Sequence, residues 1–212
     1  MIAPTATVDS FLKAHSEFVK VYKFAGVPDF LDRTNRVSGN SDLMFGSLAR
    51  VVIHQQLSGK VARVFEDRLL TATGAVSPTS LQLLGFEGLR KIGLSTAKSK
   101  ALLDLSRRVD DETIDLSAFH GMADDEISTQ ICTIYGFGPW SAHMFLIFEM
   151  GRLNVWAPAD LGVRKGFQIL YDLGELPSVQ EMQNSQDRYA PYSSLATWFF
   201  WRVLEMPALV KP

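Results

Sequence analysis

Two features of this chain could carry chemistry together: a turn built on two glycines, Gly136-Phe137-Gly138, and a carboxylate, Asp160, that follows Gly138 by 22 residues. Glycine reaches left-handed dihedrals and lets a main chain approach a partner closely. Pro139 stands where a first helical residue belongs, so the turn opens onto a helix whose unbonded N–H groups suit a phosphate. A tight corner between two helices needs the same glycines, and Gly-x-Gly alone does not separate the two readings. Asp160 on its own reads as an N-cap. Between them lies a helix of about 12 residues, roughly 18 Å long, and then a return loop that brings Asp160 to the start of another helix.

The elements around these residues read as helices throughout. Leu48, Val51 and Val52 follow a helical period, as do Val61, Val64, Phe65 and Leu69. Leu102, Leu105 and Val109 give another stripe, with Ser95 after Gly93 as its predicted N-cap. Ile127, Ile131 and Ile134 follow an acidic first turn, Asp124-Asp125-Glu126, which suits the positive end of a helix dipole. Pro139 and Gly151 bracket a helix, and Leu195, Phe199 and Val203 mark the last one. Strand alternation is absent, so the predicted fold class is all-α.

At 212 residues, 47% of them apolar, the chain can bury a real core as one domain or two small lobes. No apolar run is long enough to span a bilayer, and the first ten residues lack the pattern of a signal peptide. An intracellular location is expected, in bacterial cytoplasm or a eukaryotic nucleus. The single cysteine, Cys132, excludes an internal disulfide and a thiolate metal cage, and its apolar neighbours predict a packed core position. His15, His54, His120 and His143 lack metal-ligand spacing, so no metal is expected. A net charge of −2 argues mildly against nucleic acid. Backbone N–H groups at helix starts hold phosphate without formal charge, so a DNA-binding face would have to be local.

Four pieces, in order, carry a resemblance. They are Ile53-His54-Gln55-Gln56-Leu57-Ser58; Arg90-Lys91-Ile92-Gly93-Leu94-Ser95 followed by Lys98; the glycine turn with its Asp160 loop; and Tyr189-Ala190-Pro191-Tyr192-Ser193-Ser194 leading into Trp198. From about Leu43 to Glu205 the chain resembles the helix-hairpin-helix (HhH-GPD) DNA glycosylase superfamily, and within it the 3-methyladenine DNA glycosylases. The resemblance implies two helical lobes, 42–155 around the hairpin and 1–41 plus 166–212, with the active site in the cleft between them. It implies hydrolysis of the N-glycosidic bond of alkylated purines, 3-methyladenine and 7-methylguanine, in damaged double-stranded DNA for base excision repair. A monomer without cofactor is expected, with a place for a monovalent cation on the hairpin carbonyls. Two alternatives stay open: a non-catalytic helix-hairpin-helix DNA-binding module, and a related glycosylase for oxidised or mismatched bases.

The same resemblance implies roles. Asp160 is the carboxylate that faces the positive charge developing on the sugar and orients water. A base inside a duplex must be flipped out and its place filled; the filling side chain matches Gln56, with Leu57 as the second choice, although both Gln55 and Gln56 also read as polar residues at a helix end. His54 reads equally as a groove contact or a local cap. Gly136, Gly138 and Ser141 are the hairpin's DNA-binding residues. Trp140, Tyr189 and Tyr192 are the expected stacking surfaces for the flipped base, worth about 1–3 kcal/mol per base, whereas Trp156, Trp198 and His143 read as core. Trp140 occupies the position where strand-nicking relatives carry a lysine, which implies a monofunctional enzyme. The chain departs from the family pattern at Ala159, where relatives often have an acidic residue or glycine, and at Tyr189, where some have tryptophan.

Overall fold

The computed structural model describes residues 4–35 and 40–206; residues 1–3, 36–39 and 207–212, all within the expected second lobe, lie outside them. Among the described residues the regular elements are helices and none is a strand. In chain order they are α1 (Pro4–Ala14), α2 (Val19–Ala25), α3 (Ser41–His54), α4 (Gly59–Thr73), α5 (Pro78–Lys91), α6 (Thr96–Asp110), α7 (Asp124–Cys132), α8 (Pro139–Phe148), α9 (Leu161–Leu170), α10 (Val179–Asn184) and α11 (Ser193–Val203), joined by turns and short 3₁₀ segments. The chain divides into two compact units, Val37–Phe145 and Met1–Arg36 with Leu146–Pro212. The sequence suggested 155 as the end of the hairpin lobe. The division falls instead inside α8, because Phe148 stacks on Trp201 and meets Phe30 edge-on, both in the other unit.

The unit Val37–Phe145 is built around α3, which buries Met44, Phe45, Leu48, Val52 and Ile53. Asn40 caps its start by accepting from the Leu43 N–H, which satisfies one of the helix's unbonded donors. Helix α6 packs against α5 and α3, and its Ser95 side chain accepts from the Lys98 N–H at 3.3 Å, as the sequence predicted. Helix α4 packs against α3 and α5 through Ala62 and Leu69. Val61 and Val64, expected in its buried stripe, are exposed, because the narrow inward face of Ala62 and Leu69 leaves Val61 about a quarter turn to the side and Val64 on nearly the opposite side. Cys132 also departs from expectation. It is exposed at the end of α7, because Ile131 and Ile134 take the inward positions.

The other unit is organised by α11, which packs on α9 and α2. Phe11, Phe18, Tyr189, Phe199 and Phe200 are all fully buried in one aromatic cluster with ring centroids 5.1–6.2 Å apart. Such rings favour edge-on and offset contacts and dominate the stability of a small core. The close crossing of α9 and α11 depends on Gly166: a Cβ there would lie 2.0 Å from the Phe200 carbonyl oxygen.

Candidate active site

Asp160 ends the loop that follows α8 and opens α9. Its backbone N–H closes a turn onto the Ala157 carbonyl at 3.2 Å, which brings the chain round to start the helix. Its Oδ1 accepts the Val163 N–H at 2.8 Å, as an N-cap does, and also the Trp201 indole N–H at 2.8 Å. The residue is only 9% exposed. A carboxylate so enclosed is costly unless it is hydrogen-bonded, and these two donors supply bonds at one oxygen. Trp201 is held in turn by Phe148, stacked on it with centroids 5.4 Å apart. Gly162 leaves room for the indole, since a Cβ at that position would come within 2.7 Å of it.

Trp201 is absent from the sequence reading, although a signal was present. In α11 the buried positions are Ser193, Ser194, Leu195, Ala196, Thr197, Phe199, Phe200 and Val203, while Trp201 is half-exposed, a large aromatic left partly outside the core.

The expected pocket aromatics do not share one environment. Tyr189 is a correction: it is 0% exposed, packed against Trp156, His15, Phe18 and Phe200, so it presents no face to a base. Its hydroxyl bonds that of Tyr171, which donates to Glu17 at 2.8 Å, and a tyrosine satisfied at both ends belongs to the core. Burial pushes the Tyr189 phenol up to about 12. Tyr192 is half-buried and serves as the N-cap residue of α11. Trp156 is core, donating to the Met182 carbonyl at 2.6 Å, and Trp198 is half-buried under the Arg202 guanidinium. His143 is half-buried, and burial pushes its imidazole below the usual value. Arg164 ties to the Pro177 carbonyl at 2.8 Å, while Lys165 is exposed.

In the unit Val37–Phe145 the structure brings the second group of expected residues together. The hairpin joins α7 to α8, with Phe137 N–H bonded to the Ile134 carbonyl at 3.1 Å. Its two glycines differ in kind. Gly136 has φ +79°, and a Cβ there would sit 3.1 Å from Ala101, so the fold itself demands glycine. Gly138 has no left-handed φ and nothing within 4 Å of where its Cβ would be. Of the two, Gly136 alone uses the left-handed freedom that glycine offers. Tyr135, exposed beside them, has its N–H bonded to Asp104 at 2.8 Å, which ties the hairpin to α6. Burial opposes ionisation of Asp104, but the Tyr135 N–H and the Arg107 and Arg108 guanidiniums outweigh it and hold its pKa at about 2. Trp140 is half-buried in the first turn of α8. Ser141, expected to meet DNA, is a correction: it is 1% exposed and its hydroxyl accepts from Gln55 at 3.0 Å, turned inward by that bond.

Residues 54–57 form a β-turn, with Leu57 N–H donating to the His54 carbonyl at 3.2 Å. Gln55 has φ −50° and ψ 126°, and Gln56 has φ +57°, the pattern of a type II turn whose third position ordinarily favours glycine or asparagine. Gln56 is exposed and Leu57 half-buried. His54 pairs instead with the Glu66 carboxylate of α4, a contact between side chains and not the helix cap expected of it. Among the described residues no group of three or more His, Cys, Asp or Glu side chains could hold a metal ion.

The description "HhH-GPD superfamily base excision DNA repair protein" matches residues 49–191. A Bacillus subtilis protein that carries the name DNA-3-methyladenine glycosylase only provisionally is 28% identical over 85% of this chain, and the match spans 63% of its own length. DNA-3-methyladenine glycosylase 1 of Schizosaccharomyces pombe is 25% identical over 79% of this chain and 75% of its own. The solved structure of an S. pombe 3-methyladenine DNA glycosylase with abasic DNA superposes with a TM-score of 0.76 at 23% identity, covering 94% of this chain and 100% of that one.

Proposed function

The chain belongs to the HhH-GPD superfamily of base excision DNA repair proteins, and we propose that it is a monofunctional DNA glycosylase that removes alkylated purines from damaged duplex DNA. The observation that carries the reading is Asp160, a carboxylate almost out of solvent and oriented by two donors on one oxygen. A DNA-binding module has no need of a buried acid, whereas N-glycosidic cleavage does. As the bond breaks, its electron pair leaves with the base and positive charge spreads over the deoxyribose. Asp160 stabilises that charge and accepts the proton of the water that adds to C1′.

N3- or N7-methylation makes a purine cationic, so the departing pair neutralises it and the base leaves without needing a proton. That chemistry suits a site with one carboxylate as its acid–base group. Tyr192 and the half-exposed Trp201, in the same unit as Asp160, are the aromatic faces offered to such a base, and a cation gains about 0.5–2 kcal/mol over them relative to a neutral ring. That is about tenfold in rate, so most of the discrimination comes from bond lability and from easier flipping of damaged bases.

Trp140 provides no amine, so no Schiff base with the sugar forms at that position and the product is an intact abasic strand. The reaction calls for no cofactor. On this reading the protein is an intracellular monomer, as a repair enzyme for cellular DNA would be. No helix among the described residues is long and apolar enough to cross a membrane.

Parallel excision assays test the reading, with duplexes carrying 3-methyladenine, 7-methylguanine, 1,N6-ethenoadenine, hypoxanthine and 8-oxoguanine. Release of the two cationic bases should lead, with strands that break only after alkali. A profile led by 8-oxoguanine, or no release at all, would reject it.

A further inference from the structure

The Gln56 turn and the glycine hairpin are 80 residues apart in sequence, yet one side chain fastens them. The Gln55 side-chain amide donates to the Gly136 carbonyl and to the Ser141 hydroxyl, both at 3.0 Å. From the other side, Lys98 of α6 reaches the carbonyls of Ile53 at 2.5 Å and Gln55 at 2.9 Å. These two carbonyls belong to the last turn of α3 and its cap, where the helix leaves acceptors unbonded and favours a cation. Burial lowers the pKa of Lys98 from its ordinary value, as enclosure of an ammonium does.

Neither contact is needed to close the turn, which has its own Leu57–His54 bond. What they fix is where the exposed Gln56 stands relative to the hairpin backbone. Gln56 holds a left-handed φ of +57° that a non-glycine residue adopts only when its surroundings enforce it. Gln55 and Lys98 are those surroundings.

We propose that Gln55 is a positioning residue that couples the duplex-filling tip at Gln56 to the phosphate-gripping hairpin, with Lys98 locking the backbone on which both depend. The inference rests on the proposed base-excision function. The coupling means that a hairpin seated on the backbone holds Gln56 at a set height over the base stack. Filling a vacated base position then requires no further ordering of the loop, and binding energy that would otherwise go into ordering is kept. Gln55 makes no contact with DNA in this arrangement. Its effect passes through Gln56.

The test compares affinity for a duplex bearing a tetrahydrofuran abasic-site mimic, where the tip has a hole to fill, with affinity for the undamaged duplex of the same sequence. Gln55→Ala should weaken binding to the abasic duplex about tenfold and change binding to the undamaged duplex less than about twofold. Added to Gln56→Ala, it should cost almost nothing more, because residues that act as one unit are not additive. Gln55→Glu keeps the side-chain length while setting a carboxylate against the Gly136 carbonyl, and should match Gln55→Ala if the latter folds poorly. Lys98→Met, which keeps the stem and loses the ammonium, should show the same selective loss. Equal losses on both duplexes, or full additivity of the Gln55 and Gln56 changes, would overturn the coupling. If the unaltered protein itself binds the two duplexes equally, the base-excision reading fails and the inference with it.

Discussion

The indole N–H of Trp201 donates to Oδ1 of Asp160, the same oxygen that caps α9 through Val163. Two bonds on one oxygen set the plane of the carboxylate. Trp201→Phe keeps the ring that stacks on Phe148 and removes only the N–H. Excision by this variant should fall about ten- to a hundredfold, the rotation of a catalytic group by one lost bond, with a stability loss of about 1 kcal/mol. Asp160→Asn should fall by several orders of magnitude while still binding an abasic-site duplex. A Trp201→Phe protein with unaltered excision would show that the carboxylate is oriented by other contacts.

The two hairpin glycines should behave differently. Gly138→Val places its Cβ in open space, so the melting temperature should hold while affinity for every duplex falls about equally, since backbone approach to phosphate is blind to sequence. Gly136→Val meets Ala101 at a left-handed φ and should destabilise by about 1–3 kcal/mol. Paired thermal melts and salt-controlled affinities distinguish the two. A folded Gly138→Val protein with unchanged affinity would make the hairpin an ordinary corner.

The contrast between these glycines bears on what a sequence can convey. Helical periodicity exposed α3, α6, α7 and α11, and Ser95 announced its cap, because these are local patterns written within a few residues. Asp160 and Gly138 were legible as members of a motif. Tyr189 and Ser141 were misplaced because their fates depend on distant partners: Glu17 and Tyr171 for the tyrosine chain, Gln55 for the serine. Trp201 was missed for the same reason, since its indole is useful only once α11 lies beside Asp160. Cys132 failed on period alone, one position away from the inward Ile131.

Asp104 gives a dependence on pH. Its folded pKa of about 2 lies below the ordinary 3.8, so its contribution is complete above the unfolded value and is lost as pH falls through about 2. Allowing for solvent screening, the contribution is on the order of 1 kcal/mol. Asp104→Asn should therefore be less stable by about that amount near pH 6, with the gap closing between pH 4 and 2 in denaturant titrations. Because Asp104 holds the Tyr135 N–H, the variant should also bind duplex DNA more weakly at neutral pH. A gap that persists unchanged at pH 2 would mean that the carboxylate's charge is not what fastens the hairpin.

Gln56 stands at a turn position where glycine would be the unstrained choice, with φ +57°. A left-handed non-glycine residue costs about 1 kcal/mol or more, and glycine's extra freedom in the unfolded chain offsets part of any relief. Gln56→Gly should accordingly leave stability unchanged or raise it by up to about 1 kcal/mol. The same change removes the side chain that fills the vacated base position, so excision from duplex DNA should drop at least about tenfold. Excision from a single strand carrying the same lesion, where nothing has to be unstacked, should change little. Leu57→Ala provides the comparison: Leu57 is half-buried, so its truncation should cost stability as well as activity. Gain of stability with loss of duplex-specific activity at Gln56 would mark its side chain as kept for function at the fold's expense. Full activity in Gln56→Gly, together with a large loss in Leu57→Ala, would move the filling role to the leucine.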